Sequence, residues 1–385
     1  MHVTGWKLWA ARAGVIAAII VSIAAIEMTI APERNSAASS GAAAPPATPA
    51  AGDGKAHASL KGPAAPELRG IAGWINSEPL TLQKLRGKVV LVDFWAYSCV
   101  NCIRTTPYLR DWHDKYSSKG LVIVGLHAPE FDFERVEANV RGAVVKQGIT
   151  WPVGLDNDFA TWNAYRNRYW PRKYLIDKDG AIRYDRIGEG AYAETESQIR
   201  RLLAENGADL DGIKLGGVSA RQNSGAEITR ELYAGYGWLA GGYLGNAQGA
   251  ANDRPSRFSE SGQRADGKIY LTGNWTIGRE SVRHAASSEN FADSAGIRFT
   301  AASVNAVVRP EGATPFPVIA TLDGKPVPES LRGDDIKSDD QGRTYFTVDG
   351  PRLYNVIRAG EVVMHNLDLR VNSTDFILYT FTFGS

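Results

Sequence analysis

The chain has 385 residues, enough for two folded domains and a tail, and its 43 Lys+Arg against 42 Asp+Glu leave a net charge of +1. That balance, with no long basic run, excludes nucleic acid or another polyanion as the expected partner. Two cysteines are too few for a disulfide framework, and 44% hydrophobic residues are ample for large cores.

Residues 1–34 place Lys7 and Arg12 ahead of an apolar run from Ala13 to Ile26, followed by Glu27 and Met28-Thr29-Ile30-Ala31. Positive charge before such a run is a secretory signal, and extended to Ala31 it nearly spans a bilayer. No small-x-small cleavage site follows closely. The expectation is a single uncleaved N-terminal anchor helix with the rest outside the cytoplasm; a cleaved signal, and so a secreted protein, is the alternative. Residues 35–66, rich in Ala, Pro, Ser and Gly, read as a linker with nothing to bury.

A first domain is expected over 67–207. Ile71 to Ile75 and Glu78 to Thr81 suggest an opening hairpin around Asn76-Ser77. Lys88 to Phe94 reads as a buried strand. The helix after it runs to about Tyr116 with Pro107 inside, and a second apolar strand follows at Leu121 to Leu126. Phe131 to Gln147 has helical periodicity through Val136, Val140 and Val144. A short strand at Trp151 to Leu155, a short helix at Phe159 to Tyr165, a hairpin turning at Asp177-Lys178-Asp179-Gly180 and a helix over Glu194 to Glu205 complete it. Strands alternating with helices indicate a wound α/β sheet.

Both cysteines, Cys99 and Cys102, fall where the first strand gives way to its helix. Free N–H groups and the helix dipole at that point favour a thiolate. The loop they close is too short to stabilise a large domain, so a redox dithiol that closes into a disulfide is the expectation. An incidental buried pair and half of a zinc site are the alternatives. Zinc lacks a second C-x-x-C or an H-x₃₋₅-H among the six histidines, so neither a metal nor a cofactor is expected.

Residues 208–225 form a polar, Gly-rich connector. Over 226–385 about eight short strand-like runs, from Lys268 to Phe383, are separated by turn signals such as Asp323-Gly324 and Gln341-Gly342. That pattern predicts an all-β sandwich of jelly-roll type.

Val92-Asp93-Phe94-Trp95-Ala96 leading into Cys99-x-x-Cys102 resembles the thioredoxin superfamily. Gly73-Trp74-Ile75-Asn76, His127-Ala128-Pro129-Glu130-Phe131 and Tyr169-Trp170-Pro171 resemble its TlpA-like branch, the DipZ type above all. The resemblance implies a thioredoxin fold, a buried proton-relay carboxylate at Asp93 and a cis-proline at Pro171. It also implies substrate contacts from Trp95, Trp170 and Pro171, and a β-domain like a carbohydrate-binding module. By the same resemblance Cys99 attacks a disulfide-containing protein substrate and Cys102 resolves it. Val100-Asn101 stands where thioredoxin has Gly-Pro. Fused members begin with a multi-helix electron-carrying membrane domain; with one hydrophobic segment here, the expected donor is a separate membrane protein of the CcdA/DsbD kind. The implied location is the bacterial inner membrane, with the catalytic part in the periplasm. A peroxiredoxin-like peroxidase is the competing enzyme, but it wants Thr where Ala96 stands. A glycan- or protein-binding module is the competing class, with Trp238, Trp275 and Tyr354 as candidate contacts, although core packing is the expected role of each.

Overall fold

The structure is a computed structural model describing residues 62–218, 226–237, 244–249 and 252–385. The expected anchor over 1–34, most of the linker, and Trp238 lie outside the described residues. Among the described residues no helix is long and apolar enough to cross a membrane.

The α/β half contains strands β1 (Trp74–Ile75), β2 (Val89–Trp95), β3 (Leu121–His127), β4 (Val153–Leu155), β5 (Arg172–Ile176) and β6 (Ile182–Ile187), with helices α1 (Val100–Tyr116), α2 (Glu137–Lys146), α3 (Ala160–Ala164) and α4 (Tyr192–Glu205). The sheet runs β1-β4-β3-β2-β5-β6, parallel across β2–β3–β4 and antiparallel elsewhere. All seven residues of β2 are buried, because both faces of the sheet are covered. Its alternating side chains separate two cores. Val89, Leu91 and Trp95 join Leu109 and Trp112 of α1 and Ile199, Leu202 and Leu203 of α4. Val90, Val92 and Phe94 meet Trp162, Tyr165 and Tyr174. Asp93 therefore points to the face that α1 covers.

Local expectations change in three places. Trp74–Ile75 pairs with Val153 and Gly154 rather than folding back on residues 78–81. The linker ends before residue 66, since Ala65 N–H donates to Gly180 O at 2.9 Å and Ala64 bridges Ala181. Helical periodicity breaks at Val136, which is 50% exposed: a 3₁₀ turn over Asp132–Arg135 precedes α2.

The all-β half contains β7 (Leu232–Tyr233), β8 (Pro255–Phe258), β9 (Ile269–Ile277), β10 (Val282–His284), β11 (Asp293–Pro310), β12 (Phe316–Leu322), β13 (Lys325–Pro326), β14 (Lys337–Ser338), β15 (Thr344–Val348), β16 (Arg352–Val371) and β17 (Phe376–Gly384). Runs that read as separate short strands are joined in β9, β11 and β16. Register shifts along β11 at Ala301/Ser303 let its first part pair with β9 and its later part with β17. One hydrogen-bonded sheet thus folds over on itself, where two separate sheets of a sandwich were expected. Every residue of β17 is buried. Phe376, Leu378, Phe381 and Phe383 fill the β core, while Ile377 and Tyr379 join the core of the α/β half. The two halves share packing through this strand.

Candidate active site

Cys99 is the N-cap of α1, and its Sγ accepts the Cys102 N–H at 3.4 Å. Cys99 is partly covered and Cys102 is buried; both are free thiols. A hydrogen bond shared with Cys102, then burial, then the charges of Cys102 and Glu130 push the Cys99 thiol well up, with only the Cys102 N–H opposing. That hydrogen bond, burial and the Glu130 carboxyl all oppose the thiolate that a helix N-terminus favours. Burial also raises the Cys102 thiol.

Beneath Cys102, Asp93 and Lys173 lie opposite each other on β2 and β5 and form a buried 3.4 Å ion pair. The geometry falls short of a hydrogen bond. Burial raises the Asp93 carboxyl and Lys173 pulls it back. Both groups act electrostatically on Cys102. The Trp170–Pro171 bond is cis. Trp170 donates its indole N–H to Ala128 O at 2.9 Å and packs 4.4 Å from Trp162.

Trp95 does not reach the surface. Its ring is 3% exposed and packs edge-on to His127, so the substrate contact expected there is replaced by core packing. Trp275 and Tyr354 are likewise fully buried. Tyr354 lies under the Arg352 guanidinium, with its hydroxyl donating to Gly350 O at 2.7 Å. Neither ring has a face for a glycan.

The Redoxin family matches residues 61–203, and a family described as "Thioredoxin like C-terminal domain" matches residues 229–384. The thiol-disulfide oxidoreductase YkuV of Bacillus subtilis (strain 168) is 31% identical over 140 residues, 36% of this chain and 94% of YkuV. Protein DipZ of Mycobacterium tuberculosis (strain CDC 1551 / Oshkosh) is 34% identical over 327 residues, 83% of this chain and 43% of DipZ. The chain belongs to the thioredoxin superfamily of thiol-disulfide oxidoreductases. It is of the DipZ type, and it spans less than half the length of the DipZ proteins it matches. A solution structure of a thioredoxin-like protein in the oxidised form is 32% identical, covering 37% of this chain and 95% of that one, with a TM-score of 0.35.

Around this oxidoreductase's cysteines the structure adds residues that the sequence did not single out. Glu134 is fully buried. Its Oε1 accepts Ser98 N–H at 3.1 Å and the Ser98 hydroxyl at 2.7 Å; its Oε2 accepts Glu130 N–H at 2.6 Å and Phe131 N–H at 3.2 Å. One carboxylate thereby clamps the turn before Cys99 to the loop after β3. His127 Nε2 accepts Tyr97 N–H at 3.3 Å, and burial lowers the imidazole to about 3, so the ring is neutral. Tyr97 in turn donates its hydroxyl to Pro351 O at 3.1 Å. Arg104 donates to Phe383 O at 3.2 Å and to Glu189 at 3.3 Å. The all-β half therefore touches both sides of the dithiol. A cleft of about 1640 Å³ opens between the halves, lined by Tyr97, Val100, Arg104, Pro351 and Leu353 among others. Neither cysteine, Trp170 nor Pro171 lines it, so it flanks the site rather than forming the groove over it.

Proposed function

We propose that this chain reduces disulfides in protein substrates outside the cytoplasm through Cys99 and Cys102. The observation that carries this is the Cys99-x-x-Cys102 pair at the start of α1 with the buried Asp93–Lys173 pair beneath Cys102. The Cys99 thiolate attacks one sulfur of the substrate disulfide R–S–S–R′. A Cys99–S–S–R bond forms, and R′–S⁻ leaves and takes up a proton. Cys102 then gives its proton toward Asp93 and attacks Cys99 Sγ. The internal disulfide forms, R–S⁻ leaves to be protonated, and two electrons have passed to the substrate. No backbone partner among the described residues takes the Trp170 N–H or C=O, which leaves that edge open to pair with an extended substrate segment.

The thiols support the reducing direction. A strongly oxidising dithiol is one whose reduced form is stabilised as a thiolate. Here a hydrogen bond shared with Cys102, burial and Glu130 work against the Cys99 thiolate, which favours a dithiol that gives up its electrons over a strong oxidant. Membrane tethering by residues 1–34, a periplasmic site and a separate membrane electron donor complete the proposal, supported by the apolar run behind Lys7 and Arg12.

Reduction of insulin by the dithiothreitol-charged full chain tests it. Wild type is expected to precipitate insulin well above the dithiothreitol background and Cys99→Ser at background. Cys102→Ser is expected to accumulate a mixed disulfide released by reductant. Wild-type activity no greater than that of Cys99→Ser would sink the proposal.

A further inference from the structure

Two carboxyls from opposite halves of the molecule meet beside Cys99. Glu130, in the loop after β3, accepts the Tyr233 hydroxyl of β7 at 2.5 Å. Glu231, two residues before Tyr233, accepts the Thr380 hydroxyl at 3.5 Å, and Thr380 of β17 stands opposite Tyr233 in the sheet. Glu130 is 9% exposed and Glu231 is half-buried. Cys99 and Tyr233 pack against one core, the Glu134 carboxyl holds both Ser98 beside Cys99 and Glu130, and Cys99 feels the charge of Glu130. Two carboxyls gathered around one phenol in a covered site do not readily ionise together; one keeps its proton. Burial, then the charges of Glu231 and Glu134, hold the Glu130 carboxyl well above the usual range. Burial pushes Glu231 up to about 7.

We propose that the all-β half completes the thiol site: Glu231 and Tyr233, joined to Glu130, form a proton-sharing cluster that sets the charge facing Cys99 and so the ease with which its thiol ionises. The proposal rests on the thiol–disulfide function given above. With one proton held, the cluster presents a single negative charge; with none, it presents two and opposes the thiolate more strongly. These are positioning residues that act through Cys99, not on the substrate. Other ionisable groups around the site are Cys102 on α1, Asp93 and Lys173 on β2 and β5, Glu134 and Tyr97 beside Ser98, and Tyr379 of β17 with Arg309 of β11. Changing Glu231 or Tyr233 leaves every one of them in place.

The test is the pH profile of Cys99 alkylation by iodoacetamide in the full chain carrying Cys102→Ser, with and without Glu231→Gln. The midpoint is expected to move down by about one pH unit. Alkylation at pH 7 then speeds up roughly threefold, because the thiolate fraction rises about tenfold while its nucleophilicity falls. Tyr233→Phe, which takes the hydroxyl from Glu130 and keeps the ring's packing, is expected to move it the same way. Asp340→Asn, an exposed carboxylate in the all-β half, serves as the control and is expected to leave it unmoved. A Glu231→Gln profile that superimposes on its parent, or moves upward, at unchanged melting temperature overturns the proposal. If Glu231→Gln does not fold, Tyr233→Phe decides by the same criterion. Alkylation reads the thiol alone, so failure here and failure to reduce insulin are separate results.

Discussion

Glu134 shows how much one side chain can hold at this site. It is buried and satisfied by four donors, from Ser98, Glu130 and Phe131. Glu134→Ala leaves those donors without their acceptor, which costs about 1–3 kcal/mol for the stranded buried groups. Urea unfolding is expected to show that loss. Glu231 gives a pH dependence of opposite habit to most carboxyls. Its ordinary value is 4.5 and burial lifts it to about 7 in the fold, so the folded chain binds more protons than the unfolded one between those values. The stability it contributes is present below the ordinary value and is lost as pH rises through about 7. Melting curves are expected to fall by a few degrees from pH 5 to pH 8, and Glu231→Gln to flatten that fall. Equal slopes in the two proteins would refute it.

Among the elements, β17 carries the junction. Tyr379 packs 5.0 Å from Phe131 and 4.7 Å from Phe133, in the loop that Glu134 clamps. Tyr379→Ala removes a buried aromatic and is expected to cost about 3–5 kcal/mol, measured by chemical denaturation. A loss below 1 kcal/mol would mean the loop collapses onto the space without cost. The dithiol element was legible in the sequence because a continuous apolar run ending in C-x-x-C has few other readings. Asp93 and Pro171 came from the resemblance to the thioredoxin superfamily, although the Lys173 partner had no signal, since pairing across β2 and β5 is a register effect. In the all-β half the runs were visible, but β11 and β16 were read as fragments because polar and glycine positions inside long bent strands look like turns. Glu130 and Tyr233 stand 103 residues apart, and only the folded contact between halves brings them together. Trp275 and Tyr354 were candidate contacts with core packing as the favoured role, and their burial makes them core.

At the scale of the molecule, Val307, Ile377 and Tyr379 belong to the same core as Leu91, Trp112 and Ile123. A shared core links the unfolding of its parts. Calorimetry of the wild-type chain is expected to show one cooperative transition across both halves, and Tyr379→Ala to separate it into two. Two transitions already in the wild type would show the interface to be weaker than its burial indicates. The chemistry has the same layout: α1 presents the sulfurs, and β7 of the all-β half bonds Glu130 beside them through Tyr233. The central claim is that this arrangement makes the Cys99–Cys102 pair a reducing dithiol. A redox titration of the full chain against a dithiothreitol buffer, read by thiol labelling, tests it most directly. The expected result is one two-electron transition near thioredoxin's potential, about −270 mV, absent in Cys99→Ser. A transition near about −120 mV, the value of a strong oxidant, or no transition at all, would contradict it.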